Sequence, residues 1–491
     1  MLKTRVLIGT ATLAAAFLFA DGHSLYAQTT EKDAPSVEEL REKVKQLEKT
    51  VEELKTQIGS IEDAQKKAQT ETISTASPKV IQAVSDKPLT SATMSSSTQP
   101  VPPAVPVKRD TKGENTFEVY GFAMLDAGYD FKSNDPNWFD TVRPTKLPSF
   151  GGQFDPEGKT YWGVRQSRFG VKSSTATKLG ELKTIFEFEL FGSGVDAGQT
   201  TFRLRHAYGE LGQFGAGQYW TVFGDTDAFP NSFEYWGPNG LVWFRNVQFR
   251  WMPLKGRNAL TIGLERPGAS GDQGNFADRI ELSGIRPLFR FPDLTGNFRM
   301  NRNWGHVQFS GILGSIGWRD TNTSDNVDLS GHAIRAGGSV SSAINFGKND
   351  VGRFQLTYGT GIQNYFNDAP VDVGIKVFAP SSPGGTPSIK GVALPVLGMS
   401  TFLDHKWNDK FTSAVGYSFV KIYNSNGQAP DAFRLGQYGL GNLAYTPIPN
   451  VTIAGEFIWG RRDNFSDGFG VNDFRMQFAF KYNFSKIFKF E

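Results

Sequence analysis

Every second residue is large and apolar in the stretch Phe474-Arg475-Met476-Gln477-Phe478-Ala479-Phe480-Lys481-Tyr482-Asn483-Phe484. Side chains of a β-strand point alternately to its two faces, so this segment has one apolar face and one polar, partly basic face. It is also long enough to cross a bilayer as a tilted strand. A soluble sandwich would bury the same face in a core, so the choice depends on whether the pattern recurs.

The alternation recurs throughout residues 116–491, for example along 117–131, 182–190 and 451–459. About sixteen such runs can be counted, and long connections alternate with short ones, as the outer loops and periplasmic turns of membrane barrels do. The region therefore predicts an all-β, transmembrane antiparallel β-barrel of about 16 strands, in which the quoted stretch is the last strand. That strand could end at Phe484 or at Phe490, and the length of a bilayer crossing favours Phe484.

Composition and the N-terminus indicate an exported protein. The chain has 491 residues, no cysteine, 41 Phe and a net charge of only +3, so bulk charge identifies no partner and indicates no nucleic-acid binding. Residues 1–27 have the form of a signal peptide, with Lys3 and Arg5 before an apolar run and a cleavage site after Ala27. Beyond Ala27 there is no apolar stretch of the roughly 18 residues that a spanning helix needs.

Two further regions precede the barrel. Residues 28–68 contain a heptad repeat and predict an N-terminal periplasmic α-helical coiled coil that mediates self-association, without specifying the number of chains. Residues 69–115 are rich in Ser, Thr and Pro and predict an extended linker. The apolar a and d positions of the heptads are Val37, Leu40, Val44, Leu47, Val51, Leu54, Ile58 and Ile61.

A set of short motifs connects the chain to a known family. In order, they are Tyr120-Gly121-Phe122, Arg165 to Lys172, Arg203 to Glu210, Gly217 to Phe223, Trp304 to Gln308, Asn442 to Pro447, Gly455 to Phe457 and Arg475 to Gln477. By their order and spacing, the chain resembles the DcaP-type trimeric outer-membrane porins over nearly its whole mature length. The resemblance implies a homotrimer with three independent pores and passive uptake of small, often anionic, solutes such as dicarboxylates.

The resemblance also implies that the loop after the fifth strand folds inward and constricts the pore. In this sequence that loop is about Gly224 to Gly240. Its three acids could weaken a preference for anions. The candidate constriction residues are Asp225, Asp227, Phe229, Glu234, Tyr235 and Trp236.

The polar faces of the predicted strands carry more basic than acidic residues, and rings of Arg and Lys in a wide pore select for anions. Alternatively, many of these arginines pair with glutamates of the wall and hold it rigid. The acidic candidates are Asp126, Glu187, Glu189, Glu265 and Glu456. The basic pore-lining candidates are Arg165, Arg168, Lys172, Lys183, Arg203, Arg205, Arg250, Arg299, Arg335, Arg475 and Lys481.

Other functions are also compatible with the predicted barrel and coiled coil. The coiled coil could tether the barrel to the cell wall through peptidoglycan, and the aromatic residues Trp220, Tyr235 and Trp236 could serve a porin for neutral sugars or belong to the membrane-interface girdles. The sequence predicts no enzyme, cofactor or metal, since it has no Gly-x-Ser-x-Gly motif and no paired histidines at metal-ligand spacing. The expected partners are other copies of the chain, outer-membrane lipid and small anionic solutes.

Overall fold

The computed structural model describes Lys45 and residues 115–270, 289–319 and 330–490. Lys45 is helical. The predicted signal peptide, the heptad positions and nearly all of the predicted linker lie outside the described residues.

The described residues form strands joined by turns and loops, with five single turns of 3-10 helix. No helix among them is long and apolar enough to cross a membrane. The 3-10 turns are Pro136–Trp138, Pro144–Lys146, Gly194–Asp196, Thr226–Ala228 and Gln363–Tyr365. The strands are β1 (Asn115–Asp130), β2 (Lys159–Gly163), β3 (Arg168–Thr177), β4 (Gly180–Phe191), β5 (Thr200–Leu211), β6 (Phe214–Trp220), β7 (Arg245–Leu254), β8 (Asn258–Glu265), β9 (Asp293–Arg302), β10 (Gly305–Trp318), β11 (Gly331–Phe346), β12 (Asp350–Thr360), β13 (Val373–Phe378), β14 (Ser388–Ala393), β15 (Pro395–Lys406), β16 (Phe411–Ile422), β17 (Phe433–Tyr445), β18 (Val451–Asn464) and β19 (Gly470–Phe490).

The strands close into a barrel because the first and last pair along their length. β1 and β19 run antiparallel from the pair Asn115 and Phe490 to the pair Asp130 and Arg475. β2 and β3 pair with the two halves of β1 and together make one strand of the wall, while β13 and β14 form a separate hairpin. The predicted all-β barrel of 16 antiparallel strands is therefore confirmed.

The wall is interrupted between β2 and β3, where the sequence pattern indicated one continuous strand. The hydroxyl of Ser167 donates to the carbonyl of Met124 and accepts its N–H, so a side chain replaces the backbone ladder at this point. Arg165 and Gln166 of this interruption are both buried. A local change of this kind leaves the apolar and polar alternation on either side intact, so periodicity alone does not reveal it.

The two faces of the wall follow the alternation of the sequence. In β19, Phe474, Met476 and Phe478 are exposed on the outside, whereas Arg475 and Gln477 are buried inside. The same arrangement holds along β1 and β18. The outside thus presents apolar side chains to lipid, and the interior contains the polar ones.

The end of β19 corrects one expectation. The strand does not stop at Phe484 but continues to Phe490, because β1 also extends as far as Asn115 and supplies a partner to each residue. Bilayer thickness limits the apolar band of a strand but not its length, since a paired strand can project beyond the membrane without leaving its backbone groups unsatisfied.

Substitution of Phe478 tests the lipid-facing assignment. Phe478 lies near the middle of the apolar band of β19, so Phe478→Lys places a charge in the hydrocarbon and should lower the free energy of unfolding by about 2–4 kcal/mol. Phe490→Lys puts the same charge at the end of the same strand and should cost about 0–1 kcal/mol. Urea titration of both variants folded into lipid vesicles measures the difference. Equal losses would contradict the assignment.

Candidate solute pathway

The connection between β6 and β7, residues 221–244, lies inside the barrel, and we call it the inward loop. Successive residues of this loop bind side chains from strands on different sides of the closed wall. In chain order, the wall partners are Ser341 of β11 for Asp225, Asp404 of β15 for Asn231, Glu456 of β18 for Phe233 and Glu189 of β4 for Tyr235. The loop follows the fifth strand of the wall and contains the stretch 224–240 that the sequence singled out.

The first anchor of the inward loop is Asp225. Its carboxylate lies 2.7 Å from His306 Nε2, accepts a hydrogen bond of 2.7 Å from Ser341 Oγ and forms an ion pair of 3.2 Å with Arg299. Burial alone would raise the pKa of Asp225, but the hydrogen bond and charge of His306, together with Arg299, hold it below its usual value. Asp225 is therefore an anionic anchor.

Asp225, Asp227 and His306 bring three possible metal-ligating atoms within 4.8 Å of one another. The sequence did not indicate this cluster, because the three residues are brought together only by the docking of the loop. Arg299 binds both carboxylates, so a guanidinium already supplies a positive charge to this cluster.

The second anchor joins the inward loop to β18 and to the connection between β1 and β2. Glu456 accepts the backbone N–H groups of Phe233 and Glu234 at 3.0 and 2.7 Å. The side chain of Glu234 accepts the N–H groups of Val142 and Gly237. Burial raises the pKa of Glu234 to about 7, against the opposing effect of the Gly237 N–H.

The third anchor lies near the C-terminal end of the loop. The hydroxyl of Tyr235 donates to Glu189, and its ring stacks on Phe191 with centroids 3.7 Å apart. Trp236 donates its indole N–H to the carbonyl of Asn367 at 2.6 Å. Gly240 passes against the backbone of β15 and β16, where a Cβ would collide with the carbonyl oxygens of Met399 and Phe419. This close approach requires glycine.

The three acids of the inward loop thus serve as anchors. Asp225 and Glu234 are each 2% exposed, and Asp227 binds Arg299. Each is bound to a cation, a histidine or backbone N–H groups. Whether these acids weaken an anion preference stays a prediction of the sequence, because their partners describe how the loop is held and not which ions pass.

A cluster of four arginines faces two glutamates on β4. Glu189 lies within 4.0 Å of all four arginines, and Glu187 pairs with Arg168 and Arg205. The cluster has an excess of two positive charges when its ionised side chains are counted formally. We call it the arginine cluster, and its members are Arg168, Arg203, Arg205 and Arg245.

A β-bulge shapes this cluster. The pairing of β4 with β5 shifts register at this point. Glu187 pairs with His206, whereas the next residue of β4, Phe188, pairs with Leu204. Arg205 and His206 are consequently both buried inside, although they are neighbours in sequence. The bulge thereby places Arg205 between the two glutamates, which it binds through Nε at 2.6 Å to Glu187 and through Nη1 to Glu189.

The arginine cluster borders a cavity of about 370 Å³. All four of its arginines line this cavity, together with Arg143 from the connection between β1 and β2. Trp220, Tyr235 and Trp236 also line it, so these aromatic residues lie inside the barrel and not in the membrane-interface girdles. The guanidinium of Arg143 lies over the ring of Trp236 and binds Asp368.

The remaining predicted basic residues have other surroundings. Arg165 and Arg475 are fully buried and bind Asp140 and Asp130, respectively. Arg165 through Asp140, and Arg475 through the carbonyl of Phe139, hold the connection between β1 and β2 to the wall, and neither arginine lines the cavity. Four others form ion pairs: Lys172 with Glu118, Lys183 with Glu181, Arg299 with Asp225 and Asp227, and Arg335 with Asp293 and Asp372. Arg250 donates hydrogen bonds to Gln248 and to the Trp220 carbonyl. Lys481 lies over the ring of Phe122.

Sequence reasoning missed Arg143 and Arg245. Arg143 belongs to a long connection, where no periodicity assigns a direction to a side chain. Arg245 lies in the outward phase of β7, with Val247 and Phe249, but it is the first residue of the strand and its side chain turns in to Glu189. The only sequence signal is its position directly after the inward loop.

A family model, described as DcaP outer membrane protein, matches residues 105–365, more than half of the chain. The chain belongs to the DcaP outer membrane protein family. No curated protein matches it in sequence. The family and the closed wall together identify the fold of an outer-membrane channel.

Solved structures agree with this fold. The outer membrane channel DcaP of Acinetobacter baumannii superposes with a TM-score of 0.61 and 17% sequence identity, over 75% of this chain and 97% of that chain. An anion-selective porin from Comamonas acidovorans has a TM-score of 0.47 and 9% identity over 76% of this chain and 100% of that chain. The trimer form of OmpT from Vibrio cholerae has a TM-score of 0.45 and 12% identity over 75% of this chain and 99% of that chain. The first of these supports the fold alone, and the other two are too distant to add to it.

Glu234 makes docking of the inward loop depend on pH. Its pKa is about 7 when the loop is docked, compared with an ordinary value of 4.5. The contribution of Glu234 to docking is therefore fully present below about pH 4.5 and is lost as the pH rises from there to about 7, by about 3 kcal/mol at most. Open-channel current noise from loop motion should be greater at pH 8 than at pH 5.

The control is Glu234→Gln, which keeps the shape of the side chain and cannot ionise. Its current noise should vary much less with pH than that of the unsubstituted protein. The same pH dependence in both proteins would show that Glu234 does not govern docking.

Proposed function

We propose that the protein is a porin for the passive diffusion of small hydrophilic solutes and that it favours anions such as carboxylates. The observation that carries the preference is the arginine cluster, in which four guanidinium groups surround two carboxylates beside the cavity. A surplus of positive charge in a narrow polar passage lowers the energy of an anion and raises that of a cation.

The inward loop supports this proposal by narrowing the interior. It binds strands on several sides of the wall and thereby brings Tyr235 and Trp236 beside the arginines. A solute that passes the loop then travels close to guanidinium groups, where charge has its greatest effect. We therefore propose that the inward loop is the constriction and that the arginine cluster is its cationic wall.

The test is ion selectivity in planar bilayers. With purified protein in a KCl gradient, the reversal potential should have the sign of the chloride equilibrium potential. The selectivity should also fall as the salt concentration rises, because screening shortens the reach of the arginine charges. Cation selectivity over a range of gradients would overturn the proposal.

A porin for neutral sugars is the second candidate. The aromatic lining of the cavity by Trp220, Tyr235 and Trp236 favours it, since sugar rings stack on such side chains. Liposome swelling separates the two functions. An anion porin admits small dicarboxylates faster than neutral sugars of similar size, whereas a sugar porin shows the reverse order.

The assembly is part of the proposal. Family membership supports a homotrimer, and the heptads of residues 28–68 support self-association through a periplasmic coiled coil. A tether to peptidoglycan is the alternative role of this region. Native mass spectrometry of the mature chain should give the mass of a trimer, and a dimer would contradict it. Removal of residues 28–115 should leave ion selectivity unchanged, because the proposed pathway lies wholly within the barrel.

A further inference from the structure

Three neighbouring turns at one end of the barrel carry basic residues. Strands β7 to β12 are consecutive in the wall, so the turns after β7, β9 and β11 lie side by side. Arg302 Nη1 donates to the carbonyl of Arg257 and to Oδ1 of Asn258, both at 3.1 Å, and the carbonyl of Trp304 accepts the N–H of Asn345 at 2.7 Å. The three turns therefore form one continuous surface. We call its cations the basic arc, and they are Lys255, Arg257, Arg302 and Lys348.

The contacts of the basic arc are with neutral groups. Lys255 Nζ donates to the carbonyl of Gly212 at 2.6 Å, and Arg302 also donates to the carbonyl of Asn301 at 2.7 Å. None of the four cations forms an ion pair with a residue that the structure describes. A carbonyl oxygen fixes the direction of a basic side chain without cancelling its charge. The arc therefore keeps its positive charge.

Acidic residues are scarce beside the basic arc. The three turns and the strand ends next to them, residues 252–261, 299–308 and 344–352, contain one acid, Asp350. Its carboxylate lies 2.7 Å from Nδ1 of His405 on β15. The positive charge is also local, since the turn 446–450 at the same end of the barrel has no charged residue.

Large apolar side chains adjoin the basic arc. Trp251 is exposed and continues the phase of β7 in which Val247 and Phe249 face lipid. Trp304 and Phe346, which flank the turns after β9 and β11, are exposed as well. Tryptophan is enriched where the hydrocarbon of a membrane meets water. The arc is thus continuous with the lipid-facing wall and lies at the level of the lipid headgroups.

The length of the turns indicates which leaflet this is. The three turns have only two or three residues each, whereas the connections at the other end are long. Short turns of outer-membrane barrels face the periplasm. The leaflet beside the basic arc is therefore the periplasmic one, which consists of phospholipids.

We propose that the basic arc is a docking surface for the headgroups of anionic phospholipids in the periplasmic leaflet. A phosphodiester offers a negative charge and oxygens that a planar guanidinium can bind in pairs. Lysine reaches such a group by laying its apolar stem along the wall. An anionic lipid surface attracts each Lys or Arg near it, so four cations together favour anionic over zwitterionic lipid. This binding lies outside the pore and is independent of which ions pass through it.

The experiment identifies the lipids that stay bound to the full mature chain. The protein is reconstituted in nanodiscs of equal parts phosphatidylglycerol and phosphatidylethanolamine, released and examined by native mass spectrometry. It should retain phosphatidylglycerol several-fold over phosphatidylethanolamine, because each cation near an anionic surface raises affinity by up to roughly fivefold. Replacement of all four cations of the basic arc by Gln should bring the two lipids to nearly equal amounts.

The matched control removes two lysines and two arginines at the other end of the barrel. These residues are exposed and lie in or beside the long connections, away from the proposed leaflet. The control should keep the lipid preference of the unsubstituted protein. An equal loss in both quadruple variants, or in neither, would overturn the docking surface. The control substitutions are Arg290→Gln, Lys376→Gln, Lys390→Gln and Arg434→Gln.

A single substitution covers the case in which the quadruple variant fails to fold. Asn303 is exposed between Arg302 and Trp304, so Asn303→Glu adds a carboxylate to the arc and leaves the hydrogen bonds of its cations in place. The preference for phosphatidylglycerol should fall. An unchanged preference would contradict the docking surface.

The unsubstituted protein gives two further outcomes. Its preference should weaken as the salt concentration rises, because salt screens the attraction between the arc and phosphate. Equal retention of the two lipids at low salt would overturn the docking surface. Binding to purified peptidoglycan that the four arc substitutions abolish, without any lipid preference, would assign the arc to the cell wall and would overturn it as well.

Discussion

Closure of the wall is the constraint on which the rest of this structure depends. In lipid, each backbone N–H and C=O must be satisfied within the protein, so a sheet can cross a bilayer only as a ring without free edges. The long pairing of β1 with β19 completes that ring. Closure turns one set of alternate side chains of every strand toward lipid. It confines the other set, with its charges, to the interior.

The confined charges then organise the interior. Arg165, Arg475 and Arg335 bind buried acids and hold long connections against the wall, whereas Asp225 and Glu234 hold the inward loop. Such matched groups are structural, because removal of either partner leaves a buried charge uncompensated. The arginine cluster differs, since four guanidinium groups share two carboxylates there. Two formal positive charges are therefore unmatched beside the cavity.

Much of the fold could be predicted from the sequence, and much less of the site. The alternation along 117–131 and 474–484 indicated the wall, the number of strands and the inward phase of Arg203 and Arg205. Periodicity did not reveal the interruption at Ser167 or the bulge at His206, because each changes the direction of a few side chains without changing composition. Periodicity also placed fully buried Arg475 and cavity-lining Arg168 in the same inward phase, because it carries no information on which acids lie beside each of them.

The sequence by itself determined the architecture, because the period of two and the outward aromatic residues are local properties that are read one strand at a time. It also determined the position in the chain of the inward loop, through the resemblance that its motifs carry. Only the tertiary structure decided how the charges pair, because each pairing joins residues far apart in sequence. Arg245 shows the difference: its phase in β7 points outward, yet it turns in to Glu189, a residue of β4 that is 56 positions earlier.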